Sequence, residues 1–450
     1  MTKKWDKISI NEIKSPARYS LAMGPFGSNI KTDNFVPDGV PIIRGGNLSG
    51  ERFNDIDFVF LTEEKADELK SANAFSLDIV FTHRGTLGQV GIIPKKSRYP
   101  RYVVSQSQMK LTCDQSKVDP YFVFYFFKSY YGRHALLSNT STTGVPAISQ
   151  PLTSLKKIEL PFPSLTEQRT IANILRSLDD KIELNRQMNE MLEAISRAIF
   201  QSWFVDFDPV RAKAEGRDTG LPADVAELFP DGFEVVDGRE IPRGWKIQSL
   251  NHCLQDIFDY RGRTPKKLGD TWSQEGIIAI SAKNIKNGEL INLDNVKYVS
   301  DGLYKKWMKS DLNTGDILMT SEAPMGELFY FAQSKKMCLS QRIFCIRANP
   351  KVINPALLYL SLNSSNVQSE LRSRETGTTV TGIRQSLLRT IPVLVPPLNL
   401  QGKIASSIES LLLKINSNSE QSHTLTQIRD ALLPKLMSGE VSVSIGVVDT

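Results

Sequence analysis

The residues with the most suggestive catalytic spacing match the pattern of a metal-dependent nuclease. Pro37-Asp38 is followed by Glu63 and Lys65, in the order P-D and then E-x-K. In such a site two carboxylates hold Mg²⁺, and a lysine lies beside the scissile phosphate. The second half of the chain has no equivalent set. A self-contained metal-dependent nuclease is therefore one alternative, and a solvated helix surface that carries the same charges is the other.

Motifs for other reactions are missing from the sequence. Gly402-Lys403 has no upstream glycine at the spacing of a phosphate-binding loop. The dipeptides that begin at Asp119 and Asn354 lack the second proline of an adenine methyltransferase loop. The four cysteines and four histidines are scattered, which does not suit a zinc site. The sequence thus contains no recognisable motif for methyl transfer, nucleotide hydrolysis or zinc binding.

The composition is that of a globular protein in which two basic regions flank an acidic one. Hydrophobic residues make up 40% of the chain, charged residues 23%, and the net charge is +6. Residues 205–242 carry ten acidic and four basic residues, whereas residues 1–160 carry 21 basic and 15 acidic ones. Residues 241–397 carry 21 basic and 13 acidic residues. A basic balance of this kind is typical of polyanion binders, although it is weak support alone.

The apolar runs and the cysteines indicate the cellular compartment of the protein. The longest apolar run, residues 121–127, is far shorter than the roughly 20 residues that span a membrane. The first residues contain no secretory signal, and no cysteines form a C-x-x-C pair. We therefore expect a cytoplasmic protein with reduced cysteines and no membrane contact.

The elements that would position functional residues occur twice along the chain. Residues 78–82, with Gly88 ten positions after Asp78, match residues 316–320, with Gly326 ten positions after Asp316. Further matching segments are 39–47 with 276–284, 119–125 with 354–360, and 163–172 with 396–405. The offset between partners drifts only from 238 to 233 residues. Such self-similarity predicts two repeats, each a strand-rich mixed block followed by a long helix.

Two long helices are predicted from seams of apolar residues. Steps of four and three residues from Ile171 and from Ile404 follow the a and d positions of a coiled coil, and both seams turn polar near the middle. Antiparallel pairing would place Asn185 opposite Ser422 and Asn189 opposite Asn418. Parallel pairing also matches polar residues, but a duplicated chain with two-fold symmetry favours the antiparallel form. Two helices packed separately in their own domains are the alternative.

These patterns predict an α+β fold. It consists of two tandem-repeat mixed α/β domains that are separated by a long antiparallel coiled coil of two helices, with a pseudo-two-fold relation. The aromatic residues at 121–131 could stack on unpaired bases. The second repeat has leucines at most of these positions, which favours a packed core.

Several segments taken in order resemble a known family. They are 24–28 (Gly-Pro-Phe-Gly-Ser), 40–47, 82–88, 163–172, 185–189 with 202–209, and 429–440. Together they are similar to the specificity (S) subunit of type I restriction-modification systems, over about residues 5–442. The second block departs at 321–324, where Ser-Glu-Ala-Pro replaces the arginine-containing segment of the first.

The resemblance implies a non-catalytic, sequence-specific DNA-binding subunit that reads a split, asymmetric target. It implies target recognition domains at 1–160 and 243–397, a central helical region at 161–207 and a distal one at 398–442. An acidic linker would occupy 208–242 and a C-terminal tail 443–450. The implied partners are double-stranded DNA, two methyltransferase (M) subunits and restriction (R) subunits. S-adenosylmethionine, ATP and Mg²⁺ are expected on those partner subunits, and no cofactor or metal in this chain. A non-specific DNA-bridging protein is a further alternative.

Base reading requires arginine or lysine for guanine and asparagine or glutamine for adenine, while phosphate contacts only position the domain. The candidates in the first domain are Arg44, Asn47, Arg84, Gln106 and Gln108. Those in the second are Arg261, Arg263, Lys266, Lys267, Lys283, Asn284, Gln341, Arg342 and Arg384. Trp203, Phe204 and Phe207 are predicted to anchor a partner subunit, with local packing against the acidic segment as the alternative.

Overall fold

The computed structural model describes residues 5–141, 144–377 and 381–443. Its contacts divide the chain into two units. Unit 1 comprises Met1–Glu183 with His423–Thr450, and unit 2 comprises Leu184–Ser422. Residues 444–450 of the predicted C-terminal tail lie outside the described residues.

Unit 1 contains short strands, five short helices and the first half of a long one. Its strands are β1 (Asp6–Ser9), β2 (Leu21–Met23), β3 (Phe35–Val36), β4 (Val40–Ile43), β5 (Phe60–Leu61), β6 (Asn73–Ala74), β7 (Ile79–Thr82), β8 (Val90–Ile92), β9 (Tyr102–Val104), β10 (Gln108–Leu111), β11 (Thr140–Ser141), β12 (Ala147–Ile148) and β13 (Glu159–Phe162). Its helices are α1 (Ile10–Ile13), α2 (Glu63–Glu68), α3 (Pro120–Lys128), α4 (Tyr130–Leu137), α5 (Pro151–Lys156) and α6 (Leu165–Phe204), which continues into unit 2.

Unit 2 repeats this pattern after an inserted segment. Its strands are β14 (Phe233–Val236), β15 (Arg239–Pro242), β16 (Lys246–Ser249), β17 (Leu254–Asp259), β18 (Ile277–Ile280), β19 (Ile285–Lys286), β20 (Glu289–Leu290), β21 (Lys297–Val299), β22 (Ile317–Thr320), β23 (Leu328–Tyr330), β24 (Cys338–Leu339), β25 (Ile343–Ala348) and β26 (Pro392–Val395). Its helices are α7 (Asp208–Ala214), α8 (Ala223–Ala226), α9 (Leu250–Cys253), α10 (Asp301–Trp307), α11 (Pro355–Asn363), α12 (Ser365–Ser373), α13 (Gln385–Leu388) and α14 (Leu398–Ser438), whose end belongs to unit 1.

The sheet topology confirms the predicted repeat. The four-stranded sheet of unit 1 has the order β2-β10-β7-β8, and that of unit 2 has the order β17-β25-β22-β23. Each unit also holds one parallel strand pair, β4 with β9 and β18 with β24, in a second sheet. The first strand of each repeat pairs with the strand just before the long helix, as β1·β13 and β16·β26. Two copies of one α+β topology are therefore present.

The predicted helix starts have the same capping in both units. Asp119 caps α3 by accepting from the backbone N–H groups of Tyr121 and Phe122, and Asn354 caps α11 in the same way. Buried Gln168 accepts from the Asp119 N–H at 3.0 Å and donates to the Pro163 carbonyl at 2.9 Å. Buried Gln401 makes the equivalent bonds to Asn354 and Pro396 at 2.7 Å each. These glutamines fasten the start of each long helix to the capped helix of its own unit.

Repeated aspartates stabilise each four-stranded sheet from inside. Asp78 is 1% exposed, and its carboxylate accepts from Lys110 at 3.2 Å and from Thr112 at 2.5 Å. Asp316 is also 1% exposed and forms a bidentate pair with Arg347 at 2.7 and 2.8 Å. A buried charge needs such partners, so these positions of the repeat are structural.

Most of the aromatic run is core, as its leucine counterparts in the second repeat predict, whereas Tyr130 and Tyr131 are 74% and 59% exposed. Phe122, Phe124, Phe126 and Phe127 are all at most 4% exposed and pack in one cluster of unit 1. The stacking-platform alternative does not hold for these side chains, because their rings are not accessible.

The two long helices run antiparallel within unit 2. Asn185 donates to Ser422 at 3.2 Å, and Asn418 donates to the side-chain oxygen of Asn189 at 2.9 Å. Residues that rise in number along α6 therefore meet residues that fall in number along α14. The predicted polar pairing and orientation are confirmed there, and the alternative of separately packed helices is excluded.

In unit 1, the other halves of the same two helices form a charged contact. Arg429 of α14 donates to Asp179 of α6 at 2.9 Å, and Tyr125 of α3 donates to the same carboxylate at 2.6 Å. Ile171 and Leu175 pack with Leu436 in the apolar cluster of this unit. No helix among the described residues is long and apolar enough to span a bilayer.

Candidate nucleic-acid interface

Parallel pairing of β4 with β9 brings the first group of candidate residues together. Ile43 lies opposite Val104, so the residues that follow these strands emerge at one edge of the sheet. Arg44 follows β4, and Ser105 and Gln106 follow β9. The side chains of Arg44 and Gln106 are exposed, and both line a cavity of about 460 Å³.

Arg84 reaches the same cavity from the neighbouring sheet. Thr82 ends β7 opposite Gln108, the first residue of β10, which places the following loop beside residues 105–108. The Gly85 N–H donates to the Pro146 carbonyl at 2.8 Å, and Gly85 has a φ of +90° that favours glycine. The exposed Arg84 guanidinium is thus carried by a fixed turn.

The cavity of unit 1 has the chemistry of a polyanion or base-edge site. Two arginines and three glutamines line it, and none of the residues that line it is acidic. Arg44 and Arg84 supply forked donors, and the amide of Gln106 supplies both a donor and an acceptor. Such groups match phosphate oxygens and the major-groove edges of guanine and adenine.

Two candidates in unit 1 are contradicted as direct base readers. Asn47 is 3% exposed, donates to the carbonyls of Asn54 and Ile56 at 3.0 and 2.9 Å, and accepts from the Arg44 N–H at 2.9 Å. Gln108 is 1% exposed and bonds to Ser105 and Thr82. Their amides are buried and bonded within the protein, and only Gln108 of the two lines the cavity.

His83 is a residue that the sequence reasoning missed as a member of this site. It is 6% exposed, and its Nε2 lies 3.1 Å from the Gln106 carbonyl, where it can only donate. Burial lowers the pKa of His83 from its usual value, the bond to Gln106 opposes this by raising it, and the nearby Arg84 charge lowers it slightly further. The sequence indicated a role for His83 only through its position next to the candidate Arg84. It holds the loop that presents Gln106.

Unit 2 has a cavity of about 340 Å³ at the equivalent place. Ser281 and Lys283 follow β18, and Ser340, Gln341 and Arg342 follow its parallel partner β24. The predicted residues brought together here are Arg263, Lys283, Gln341 and Arg342. Trp272, Trp307 and Lys297 also line the cavity and were not predicted. Gln341 therefore occupies the position that Gln106 occupies in unit 1, among otherwise different neighbours.

The basic loop of unit 2 is largely engaged within the protein. Arg263 donates to the carbonyls of Trp307 and Lys306, and Arg261 pairs with Asp259 at 2.6 Å. Lys267 donates to the Gly262 carbonyl at 2.9 Å. The structure thus gives Arg263 a structural bond that the sequence did not predict, whereas Lys266 is exposed.

The remaining candidates of unit 2 are dispersed. Asn284 is 1% exposed and bonds to the backbone at Ile291 and Ser281, so it is contradicted as a base reader for the same reason as Asn47. Arg384 is exposed just before α13 and does not line the cavity. Arg342 pairs with Glu322 at 3.0 Å, and Glu322 stands at the repeat position of Arg84. The two units therefore differ in charge at this repeat position, although Glu322 itself does not line the unit 2 cavity.

The predicted partner-binding aromatics are instead packed inside unit 2. Phe204 is 6% exposed and Phe207 is 9% exposed, and both contact the ring of Trp245 at 5.6 and 5.8 Å. Trp203 meets Phe229 of the acidic segment edge-on at 5.7 Å. Local packing against the segment 205–245, which was the alternative interpretation, buries Phe204 and Phe207, whereas Trp203 is only partly buried.

Other apolar side chains on the long helices are exposed. Met191 is 66% exposed and Ile195 is 42% exposed on α6, and Leu413 is 49% exposed on α14. All three belong to unit 2. With Leu184 and Leu398, they are the large apolar side chains of the long helices of this unit that are exposed.

The nuclease-like residues do not form a site. Glu63 and Asp67 of α2 both pair with Arg101, and Lys65 pairs with Glu68 at 2.6 Å. Within the described ranges no three His, Cys, Asp or Glu side chains are grouped as metal ligands. These charges belong to a solvated helix surface, which was the alternative interpretation.

Comparison with known proteins identifies the family. The model of the type I restriction modification DNA specificity domain matches residues 26–194 and again 243–427. The HindI specificity subunit of Haemophilus influenzae is 29% identical over 391 residues, which cover 76% of this chain and 81% of the relative. The MjaIX specificity subunit of Methanocaldococcus jannaschii is 25% identical, with 78% of each chain covered.

A solved structure shows the same fold. The S subunit of a type I restriction-modification system from M. genitalium superposes with a TM-score of 0.61, covers 96% of each chain and is 17% identical. The repeated topology, the two matched domains and this likeness agree. The chain belongs to the family of type I restriction-modification specificity subunits.

Proposed function

We propose that this chain reads a split, asymmetric DNA target, with one half-site contacted at the cavity of each unit. The observation that carries this proposal is the chemical difference between two equivalent cavities. Gln106 and Gln341 occupy the same position, but Arg84 lines the cavity of unit 1, whereas Lys283, Lys297 and two tryptophans line that of unit 2. Base edges are distinguished by the donors, acceptors and apolar groups that face them, so two cavities with different linings suit different sequences.

The second part of the proposal concerns assembly. Two methyltransferase subunits would dock on this chain, and restriction subunits would join them, with the exposed Met191, Ile195 and Leu413 among the contacts. Catalysis would take place on those partner subunits, which would bind S-adenosylmethionine, ATP and Mg²⁺. This chain would contribute DNA specificity alone, and it would work in the cytoplasm.

The test is co-expression with the methyltransferase subunit of the same system and mapping of N6-methyladenine by long-read sequencing. We expect one bipartite motif with a fixed spacer and two unlike halves. Exchanging residues 82–88 for the equivalent segment of a relative should change one half alone. Methylation without a motif, from a soluble and assembled complex, would contradict the proposal.

The alternative of a non-specific DNA-bridging protein makes a different prediction. Phosphate contacts alone would give affinity that falls steeply with salt and does not differ between sequences. A competition assay at several salt concentrations separates the two, because specific binding retains a preference for the motif after non-specific binding is lost.

A further inference from the structure

Phe26 is an exposed aromatic residue at the rim of the unit 1 cavity. Its side chain is 84% exposed, the highest value among the large hydrophobic residues described as exposed, and it lines the cavity with Arg44 and Arg84. An isolated exposed leucine or phenylalanine is ordinary on a protein surface. Phe26 is different, because its ring lies beside Arg44 and Arg84, the two residues proposed to contact DNA.

The backbone that carries Phe26 is held rigidly. The Gly24 N–H donates to the Gln108 carbonyl at 2.9 Å, and a Cβ on Gly24 would lie 1.8 Å from the Ser105 carbonyl oxygen. A Cβ on Gly27 would lie 2.4 Å from the side-chain oxygen of Gln106. Glycine is therefore required at position 24, where the clash is with backbone, whereas a side chain at position 27 would displace the exposed Gln106 side chain. The protein thus holds the backbone next to Phe26 against residues 105–106 and leaves the ring open to solvent.

The surroundings indicate what the ring would contact. The cavity beside it is lined by two arginines, three glutamines, small polar residues and apolar ones that include Ile30 and Phe35, and by no acidic residue. Positive charge around an open aromatic ring is the combination that binds nucleic acid, where cations meet phosphates and rings stack on bases. These residues do not match a protein partner whose surface carries charges of both signs, because the cavity offers no acidic side chain to pair with basic ones.

We propose that Phe26 stacks on a base of the half-site contacted by unit 1 and opens one base-pair step there. This inference rests on the proposed function and adds a DNA distortion to it. An apolar side chain that is inserted at a base step unstacks the step and bends the duplex, and sequence-dependent stacking then contributes to specificity.

The equivalent loop of unit 2 is built differently. It carries Arg261, Arg263 and Lys266 in place of an exposed ring. The nearby Trp272 has the Lys297 ammonium 5.0 Å from its ring centroid and the Trp307 ring at 5.9 Å. Its contacts are thus partly made within the protein. We expect the distortion in one half-site only.

The experiment uses the complex with the methyltransferase and specific duplexes in which 2-aminopurine replaces one base at a time. The half-site of unit 1 is the one relaxed by Arg84→Ala. The wild type should give increased fluorescence at one step of that half-site. Signals at the adenines that become methylated are not counted, because they report on the methyltransferase. Phe26→Ala should abolish this signal and weaken specific binding about 5- to 150-fold, the range for loss of one stacked base. Tyr131→Ala is the matched control, because Tyr131 is 59% exposed in the same unit and does not line this cavity.

The outcomes separate this inference from the proposed function. A bipartite methylation motif without an additional unstacked step would overturn the role of Phe26 and leave the proposed function intact. A signal that persists in Phe26→Ala would do the same. Weaker association of Phe26→Ala with the methyltransferase in the absence of DNA would identify Phe26 as a protein contact and also overturn the inference. Absence of any motif in the wild type would remove the proposed function and the inference together. Unchanged thermal unfolding of Phe26→Ala, as its exposure predicts, shows that the variant is folded.

Discussion

Asn418 donates from its side-chain amide to the side-chain oxygen of Asn189 at 2.9 Å, across the contact between α14 and α6 in unit 2. Asn418 is 2% exposed and Asn189 is 4% exposed, so the bond is made away from water. The Asn189 amide also donates to the Ile415 carbonyl and to Ser419, at 3.2 and 2.9 Å. A buried polar pair among apolar seam residues favours one register, since any shift leaves the amides unpaired.

This pair predicts a non-additive response to mutation. Asn418→Leu should lower the free energy of unfolding by about 1–3 kcal/mol, because the side-chain oxygen of Asn189 then stays buried without its donor. The double variant Asn189→Leu with Asn418→Leu should recover part or all of that loss, since an apolar pair needs no hydrogen bond. Urea unfolding of all four proteins in a double-mutant cycle measures the coupling. Simple addition of the two single effects would show that the pair does not act as a unit.

Arg84 should affect one half of the recognised sequence. Arg84→Ala should leave the fold unchanged, because the side chain is exposed, and should relax specificity at one position by about 1–3 kcal/mol. The methylation map would then show one degenerate base in one half-site. Lys96→Ala, which also removes an exposed positive charge from unit 1 but lies outside the cavity, should leave the motif unchanged. Equal effects of the two variants would mean that Arg84 contributes only general charge.

Substitutions of buried and of exposed apolar residues on the long helix α6 should have different effects. Phe204→Ala should destabilise the protein by about 3–5 kcal/mol, since it removes a ring from the cluster with Trp245. Met191→Ser changes an exposed side chain and should leave unfolding unchanged while it weakens binding of the methyltransferase. Denaturation curves and a pull-down with the purified methyltransferase measure the two effects. Normal assembly of Met191→Ser would place the docking surface elsewhere.

The sequence predicted what depends on local or repeated patterns. The capped helix starts at Asp119 and Asn354, the antiparallel polar pairs and the core position of Phe122 all follow from spacing and from the match between repeats. Whether an individual side chain is exposed, buried or hydrogen-bonded depends on residues that are distant in the chain. Arg263 bonds to the Trp307 carbonyl 44 positions away, which no local pattern reveals. Amphipathic spacing also cannot tell whether an exposed-looking ring such as Phe204 will be covered by a segment that returns to it.

The buried histidine predicts a pH dependence of stability. Because burial lowers the pKa of His83 in the folded state, the unfolded chain binds a proton at a higher pH than the folded chain does. Between the lowered folded pKa and the unfolded value of about 6.5, the unfolded state therefore holds more protons, and stability rises with pH. The stability that neutral His83 provides is thus fully present at neutral pH and is lost as the pH falls below about 6.5.

His83→Gln tests this dependence, since the amide can still donate to the Gln106 carbonyl but does not titrate. Denaturant unfolding of the wild type between about pH 5 and 8 should show a decline in stability on the acidic side. The variant should show a smaller decline, and its DNA motif should be retained because the loop of Gln106 keeps its support. The same comparison with His134→Gln, a histidine on the exposed side of α4, should match the wild type. An identical pH profile for the wild type and His83→Gln would show that His83 does not supply this dependence.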